Sequence, residues 1–348
     1  MTIVADRATE PGTRSGRRGG RRVVVTSAAA VLLLVVVLAS LALGSRPLSP
    51  GQVWHALVAP DGGEASIIVR ELRVPRTLLG LTVGPALALA GVLLQALTRN
   101  PLAEPRILGV SAGASLGVVV AISVFGVGTL AGYVWFGVVG ALLAGLLVFG
   151  IANRAREGAS PVTLALVGVA LDASLGAIAI ALLTVDARTF EDYRFWVVGG
   201  LTGRDAAVAA QVAPFVLVGV LLAAFAARGL DALALGDDVA RGLGHRVGLV
   251  RLAGGVGAVL LIGAAVAAAG PIAFIGLAVP HLARALVGAD HRWTLAVSAL
   301  LGPILLLAAD IVGRLVVPPG EVPAGIVTAL LGAPLLVVLV RRAKVVTA

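Results

Sequence analysis

Ten apolar stretches follow one another along the chain and constrain its fold more than any motif does. They occupy residues 23–43, 75–97, 107–125, 132–151, 161–184, 206–227, 249–269, 272–288, 293–313 and 323–340. A helix needs about 20 mostly apolar residues to cross the hydrocarbon core of a bilayer. Within that core the backbone must satisfy its own hydrogen bonds, which favours helices. The sequence therefore predicts an all-α membrane protein with about ten transmembrane helices.

The overall composition excludes an ordinary soluble domain and several kinds of site. Apolar residues make up 59% of the chain and charged residues 13%, about half the usual charged share of soluble domains. Cysteine is absent, which rules out disulfides and thiolate metal sites. The four histidines are scattered and form no metal-binding set: His55, His245, His281 and His291. We therefore expect no metal and no cofactor on this chain.

Basic residues set the predicted orientation. Of the 27, 19 fall on the side that holds both termini and 8 on the other. Because cytoplasmic loops carry an excess of Lys and Arg, both termini are predicted to be cytoplasmic. The net charge of +9 then faces anionic lipid heads and does not indicate nucleic-acid binding.

The first 22 residues are polar and carry six arginines. We predict a disordered basic cytoplasmic tail over residues 1–22 and a transmembrane domain over 23–348. A twin-arginine signal is the alternative, but the apolar run that follows is long for a signal peptide.

The most specific motifs lie between Arg73 and Gly117. They comprise RVPR at the predicted start of a helix, the hinge NPLAEP after Gln95, and LGVSAGA with glycines at 109, 113 and 117. Glycines four apart share one helix face, so another helix can approach closely there. Two later stretches, GPIAFIGLAVPHLARALVGADHR and LAADIVGR followed by GEVPAGIVTALLGAP, add to the pattern. Together these motifs resemble the membrane subunits of bacterial ABC importers for ferric siderophores, haem and cobalamin.

The resemblance implies a type II importer permease in the bacterial cytoplasmic membrane. Its expected partners are two ATPase subunits, a periplasmic or lipid-anchored substrate-binding protein, and a second permease, identical or paralogous. ATP is expected on the ATPase partner, since Lys344 is the sole lysine and a phosphate-binding loop requires Gly-Lys-Ser/Thr. The chain is therefore predicted to be a transport subunit and not an enzyme.

Arginines at the predicted outer ends of helices are the first candidate site. The resemblance implies that Arg73, Arg76 and Arg314 receive glutamates of the binding protein. The alternative is that they anchor the helix ends by reaching to lipid head groups. For Arg314, pairing with Asp310 is a further alternative.

The cytoplasmic segment 228–250 is the second candidate site. Asp237 could cap a short helix, Gly244 lies where that helix would stop, and Leu235, Val239 and Leu243 would share one face. The resemblance implies that this helix couples to the ATPase, whereas a helix lying on the bilayer is the alternative. The candidate coupling residues are Leu235, Gly236, Asp237, Asp238, Val239, Ala240, Arg241, Gly242, Leu243 and Gly244.

Polar residues in or beside the spans are candidates for the transport pathway. Asp172 lies near the middle of its span, where a charge costs about 2.5–3.5 kcal/mol on insertion scales and should face a cavity or a partner. Gln95 and Asn100 flank the hinge. Hydrogen bonding between helices is the alternative for Asp172 and Gln95.

Two other functions compete with siderophore import. One is an ABC permease for bare zinc or manganese. The other is an ion-coupled secondary transporter, which would need a relay of charges inside the membrane, and only Asp172 lies mid-span.

Overall fold

The computed structural model of the protein describes residues 12–104, 109–154, 161–185 and 187–346, which are almost entirely helical. The helices in chain order are α1 Gly12–Ala42, α2 Pro50–Val58, α3 Glu64–Ile67, α4 Val74–Leu97, α5 Val110–Ser123, α6 Leu130–Arg154, α7 Pro161–Val185, α8 Ala187–Val197, α9 Ala206–Leu233, α10 Asp237–Gly242, α11 Val247–Ala269, α12 Ile275–Val287, α13 His291–Val316 and α14 Ala324–Val346. A π-helical turn, Ile68–Arg73, joins α3 to α4.

Each predicted apolar span coincides with one helix, which confirms the all-α membrane architecture. In the described part of the chain, seven helices are long and apolar enough to cross a bilayer, and the apolar helices α5, α12 and the first half of α14 are shorter. The spans 107–125 and 272–288 were predicted too long. Gly109 and Phe274 adopt left-handed conformations, with φ of 65° and 69°, so α5 and α12 begin only after them. Residues 105–108 lie outside the described residues.

Helices α4 and α11 form the centre of the bundle. About four-fifths of the most apolar part of each is buried, 78% and 83%, against 11% for α1 and α7. Close packing of α4 depends on glycine, since a methyl group at Gly84 would overlap Pro303 of α13, and one at Gly91 would overlap the carbonyl of Gly276. The sequence thus specifies which helices are central through small residues as well as through hydropathy.

The glycines of α5 confirm the predicted close approach of another helix. A methyl group at Gly113 would overlap Gly140 of α6, and one at Gly117 would overlap Phe136. Gly109, however, lies against Gly168 of α7. The predicted glycine face therefore meets two helices, because α5 is flanked by both.

The N-terminal segment differs from the prediction of a disordered tail. Helix α1 begins at Gly12, so residues 12–22 are helical, whereas residues 1–11 lie outside the described residues. Arg22 explains part of this order. Its Nε donates to the carbonyl of Val287 at the end of α12 (3.1 Å), and its Nη1 lies 3.1 Å from Asp290. The ion pair and the helix-end contact hold α1 at Arg22 against the α12–α13 junction.

Short helices that were not predicted cover the outer side. Helix α2 begins with a reciprocal capping box between Ser49 and Gln52, a local signal that hydropathy does not report. Its Val53 and Ala56 are buried against the end of α1 and the π-helical turn. These helices do not span the membrane, so no long apolar run in the sequence marks them.

Candidate functional site

Arg76 of α4 lies in a buried polar cluster at the outer end of the bundle. Its Nε donates to Oδ1 of Asp310 at 2.9 Å, its Nη1 to Oε2 of Glu321 at 2.8 Å, and its Nη2 to Oγ1 of Thr202 at 2.8 Å. The Asp310 side chain is fully buried, while that of Glu321 is 28% exposed. One guanidinium thus joins α4 to α13 and to the segments that precede α9 and α14.

Arg314 shares the carboxylate of Asp310, one turn earlier on α13. Its Nη2 lies 3.2 Å from Asp310 Oδ2, close enough for an ion pair but not aligned for a hydrogen bond. Its Nη1 donates to the carbonyls of Ser40 and Leu43, at 3.0 and 2.9 Å. Arg314 therefore satisfies backbone acceptors at the C-terminal end of α1, which the helix itself leaves unpaired.

Arg73 has the same kind of partner. Its guanidinium donates to the carbonyl of Leu41 at 2.7 Å and to that of Arg46. Basic groups at a helix C-terminus also interact favourably with the helix dipole. Arg73 and Arg314 together fasten the outer end of α1 to α4 and α13.

The three arginines predicted to dock a binding protein are therefore internal. Arg73, Arg76 and Arg314 are 5%, 7% and 2% exposed. The lipid-anchoring alternative is wrong for them, because their charged groups are bound inside the protein. The pairing of Arg314 with Asp310 is confirmed, and docking stays a prediction.

An outer groove of about 610 Å³ gives access to this cluster. It is lined by Arg76 and by the exposed side chains of Arg70 and Glu71. Arg204 also lines it. Burial lowers the pKa of Arg204 from its usual value, and Tyr133 opposes that shift. A polar partner could reach the cluster through this groove.

On the cytoplasmic side, the predicted short helix is present as α10. Leu235, Val239 and Leu243 are 63%, 48% and 61% exposed, whereas Ala240, on a neighbouring side of the helix, is fully buried. The chain leaves α10 at Gly244, with φ of 82°, which confirms the predicted stop. Helix α10 thus presents apolar side chains away from the bundle.

The start of α10 differs from the prediction. The cap position belongs to Gly236, with φ of 106°, and Asp237 is the first helical residue. The carboxylate of Asp237 instead pairs with Arg99, at the end of α4, and with Arg251 of α11. Because Asp237 lies one residue inside the helix, its carboxylate binds the two arginines and does not cap α10.

Gln95 lies inside the packing of the helices, where it is 4% exposed. Its Nε2 donates to the carbonyls of Gly276 and Ala103, at 3.1 and 3.3 Å, and its Oε1 accepts from Arg284. The side-chain amide therefore forms hydrogen bonds that connect α4 with the hinge and with α12. This is the interhelical role that we considered as the alternative.

The other two pathway candidates lie in different settings. Asn100 is exposed, and its Oδ1 accepts from the N–H of Leu102 at 2.9 Å, which stabilises the turn after α4. Asp172 is half-buried on α7, where its backbone lies beside Gly109. Asn100 is close to Gln95 along the hinge, whereas Asp172 belongs to a weakly buried helix.

A comparison with protein families decides what the chain is. The sequence model of the FecCD transport family matches residues 32–342, nearly the whole helical bundle. The chain belongs to the FecCD transport family. Because the family consists of ABC transporter permease subunits, this permease is a transport subunit and not an enzyme.

Curated relatives extend the likeness over most of the permease. The ferric enterobactin permease FepD of Escherichia coli is 43% identical over 303 residues, covering 87% of this chain and 90% of the relative. The probable siderophore permease YfiZ of Bacillus subtilis is 38% identical, covering 87% and 91%. The iron(3+)-hydroxamate permease FhuB of the same organism is 40% identical, covering 88% and 79%.

A solved structure supports the architecture. An inward-facing metal-chelate type ABC transporter superposes with a TM-score of 0.81 at 31% identity, covering 91% of this permease and 99% of that chain. This match confirms a type II importer permease. Neither the bare-metal permease nor the secondary transporter is favoured by these relationships.

Several residues of the two sites in this permease were not predicted from the sequence. Glu321 had a usable signal, since it is the only acid in the segment between α13 and α14. Thr202 had no signal, because a threonine in a polar loop is common. Arg99 and Arg251 were counted only as cytoplasmic charges, and their convergence on Asp237 requires the folded chain.

Proposed function

We propose that this permease is the transmembrane subunit of an ATP-driven importer that carries a ferric siderophore across the bacterial cytoplasmic membrane. The observation that supports it is the similarity, over 87–88% of the chain, to permeases named for enterobactin and hydroxamate chelates of iron. Their ligands differ in chemistry, so the proposal extends to the class of ferric chelates.

The proposed assembly contains a second permease, two ATPase subunits on the cytoplasmic side and a binding protein on the outer side. The exposed apolar face of α10 supports the ATPase contact, because such a face outside the membrane favours a protein partner. On the outer side, Arg76 at the groove is the best placed of the three predicted docking arginines, since it lines that groove.

The pathway is proposed to run along α7. Only 11% of the apolar part of this helix is buried within the chain, yet it carries Asp172. A carboxylate facing lipid is costly, so this side of α7 is better matched to an aqueous pathway shared with the second permease. ATP-driven movement of α10 would then switch access to the pathway between the two sides.

Replacing Asp172 with Asn tests this placement. Removing the charge should change the rate of chelate uptake without changing the amount of assembled transporter, because the side chain is only half-buried. The measurement is uptake of iron-labelled chelate per assembled complex in proteoliposomes. Wild-type uptake by Asp172→Asn would remove Asp172 from the pathway.

Reconstituted uptake tests the function itself. Proteoliposomes that contain the permease, its ATPase and its binding protein should accumulate a ferric siderophore only when ATP is supplied to the ATPase side. Free Mn²⁺ or Zn²⁺ should not be accumulated. Chelator-independent metal uptake would support the bare-metal alternative, and uptake driven by an ion gradient without ATP would support a secondary transporter.

A further inference from the structure

Asp237 binds two arginines that belong to different helices. Its Oδ1 lies 2.5 Å from Nη2 of Arg99, which follows the last turn of α4, and its Oδ2 lies 2.9 Å from Nη2 of Arg251 in α11. Arg251 also donates to Oδ1 at 3.1 Å. A single carboxylate thus joins the short cytoplasmic helix to the two central helices of the bundle.

The backbone of Arg99 indicates that this arrangement is specified. Its φ is 48°, in the left-handed region that costs a non-glycine residue roughly 1–2 kcal/mol. Besides its contact with Asp237, Arg99 donates from Nε to the carbonyl of Leu233 at 3.1 Å. The Arg99 guanidinium therefore contacts both the end of α9 and the start of α10. Backbone strain of this kind persists only where surrounding contacts stabilise it.

The remaining attachments of α10 are weak. Glycines with positive φ, Gly236 and Gly244, flank the helix, and open space surrounds both. Asp238 pairs with Arg241 within α10. Among the ion pairs of the described residues, those of Asp237 are the ones that connect α10 to other helices. Without these ion pairs, α10 would be connected to the chain through two conformationally flexible glycines. Its main remaining contact with the bundle would be the buried side chain of Ala240.

We infer that Asp237 is a positioning residue that transmits movement of α10 to α4 and α11. The inference rests on the proposed role of α10 as the contact with the ATPase. When the ATPase displaces α10, the paired carboxylate moves with it and carries the inner ends of α4 and α11. These are the most deeply buried of the seven long apolar helices in the described part of the chain, so their movement repacks the bundle instead of bending a loop.

The test is Asp237→Asn in the full transporter with its ATPase and binding protein. Asparagine keeps the shape of the side chain but loses the charge that holds both arginines. The chelate transported per ATP hydrolysed should fall about two- to thirtyfold, the factor that corresponds to losing two partly exposed ion pairs of ordinary strength. The ATPase subunits should stay bound, because the apolar face of α10 is unchanged. Asp237→Glu should restore much of the ratio.

Asp290→Asn is the matched control. Asp290 also pairs with an arginine from another helix, Arg22, and its side chain is 29% exposed against 25% for Asp237. Asparagine still caps α13, since it is as good a cap as aspartate. The transport ratio of this variant should equal that of the wild type.

Two results would overturn the inference. One is a wild-type ratio of transport to ATP hydrolysis in Asp237→Asn. The other is loss of the ATPase subunits from Asp237→Asn, which would make Asp237 part of the docking surface. If Asp237→Asn does not accumulate in membranes, the same ratio of transport to ATP hydrolysis is measured for Arg99→Gln, which leaves the Asp237–Arg251 pair intact. A wild-type ratio in Arg99→Gln would then overturn the inference. The proposed role of α10 as the ATPase contact is tested separately by Leu243→Asp. Full retention of the ATPase subunits by that variant would show that this role is wrong.

Discussion

Leu243→Asp is expected to release the ATPase subunits from the permease. Leu243 is 61% exposed in the isolated chain and lies beside Val239 on the same side of α10. If this face is the buried centre of the contact, a carboxylate there is desolvated without a partner. Buried anchors of interfaces typically contribute about 2 kcal/mol or more, so ATPase binding should weaken about thirtyfold or more. The measurement is the amount of ATPase that copurifies with the tagged permease.

Val58→Asp is the matched control for this substitution. Val58 ends α2 on the outer side and is 63% exposed, so the same change is made in a similar setting on the opposite side of the membrane. This variant should retain its ATPase subunits. If Leu243→Asp also retains them and transports at the wild-type rate, α10 lies on the membrane surface, and the ATPase must contact other cytoplasmic segments.

The position of α10 makes it the preferred contact. In the proposed importer ATP is hydrolysed by a separate subunit, so the work of hydrolysis reaches the permease through a contact between proteins. ATP is cytoplasmic, which restricts the contact to the inner side. There, α10 combines an exposed apolar face with the ion-paired attachment at Asp237, and the proposed coupling uses both features.

Features set by local sequence were predictable. The ten spans follow from apolar runs, the end of α4 from the NPLAEP hinge, and the exposed face of α10 from the spacing of its apolar residues. Each depends on residues within about one helix length, and hydropathy and periodicity report that range directly. Boundaries failed where glycine or a left-handed residue shortened a helix, as at Phe274.

Contacts between distant residues were not predictable from the sequence. Arg76 and Asp310 are 234 positions apart, and Gln95 and Arg284 are 189 apart. A charge at a helix end can face solvent, lipid or another helix, and only tertiary packing selects among them. Hence Arg76 looked like a surface residue in the sequence and is 7% exposed in the fold. The helix-capping role assigned to Asp237 failed for the same reason.

The burial of the outer arginines changes how their docking role can be tested. Charge reversal at Arg76 would place a carboxylate against Asp310 and Glu321. Repulsion inside the protein would then disrupt the fold before any binding protein is involved. A loss of docking in such a variant is informative only when the stability of the permease is measured beside it.

Asp310→Asn is expected to destabilise the permease strongly. Its fully buried carboxylate is the shared counter-charge of Arg76 and Arg314. Without it, two buried guanidinium groups repel each other, and removing one partner of a buried ion pair typically costs about 3–5 kcal/mol. The measurement is the temperature at which the purified permease unfolds in detergent, which should fall markedly.

Glu321→Gln is the matched control, since it removes the other carboxylate that pairs with the Arg76 guanidinium, at a more exposed position. The Glu321 side chain is 28% exposed, so water screens the change, and Arg76 keeps Asp310 and Thr202 as partners. The expected cost is about 1 kcal/mol or less, and the unfolding temperature should fall far less than for Asp310→Asn. Equal stability of Asp310→Asn and the wild type, with altered binding-protein affinity, would show that the cluster exists for docking. A large loss of stability with Asp310→Asn would instead identify the cluster as the fastening of α1, α4 and α13, because that carboxylate is where their charges meet.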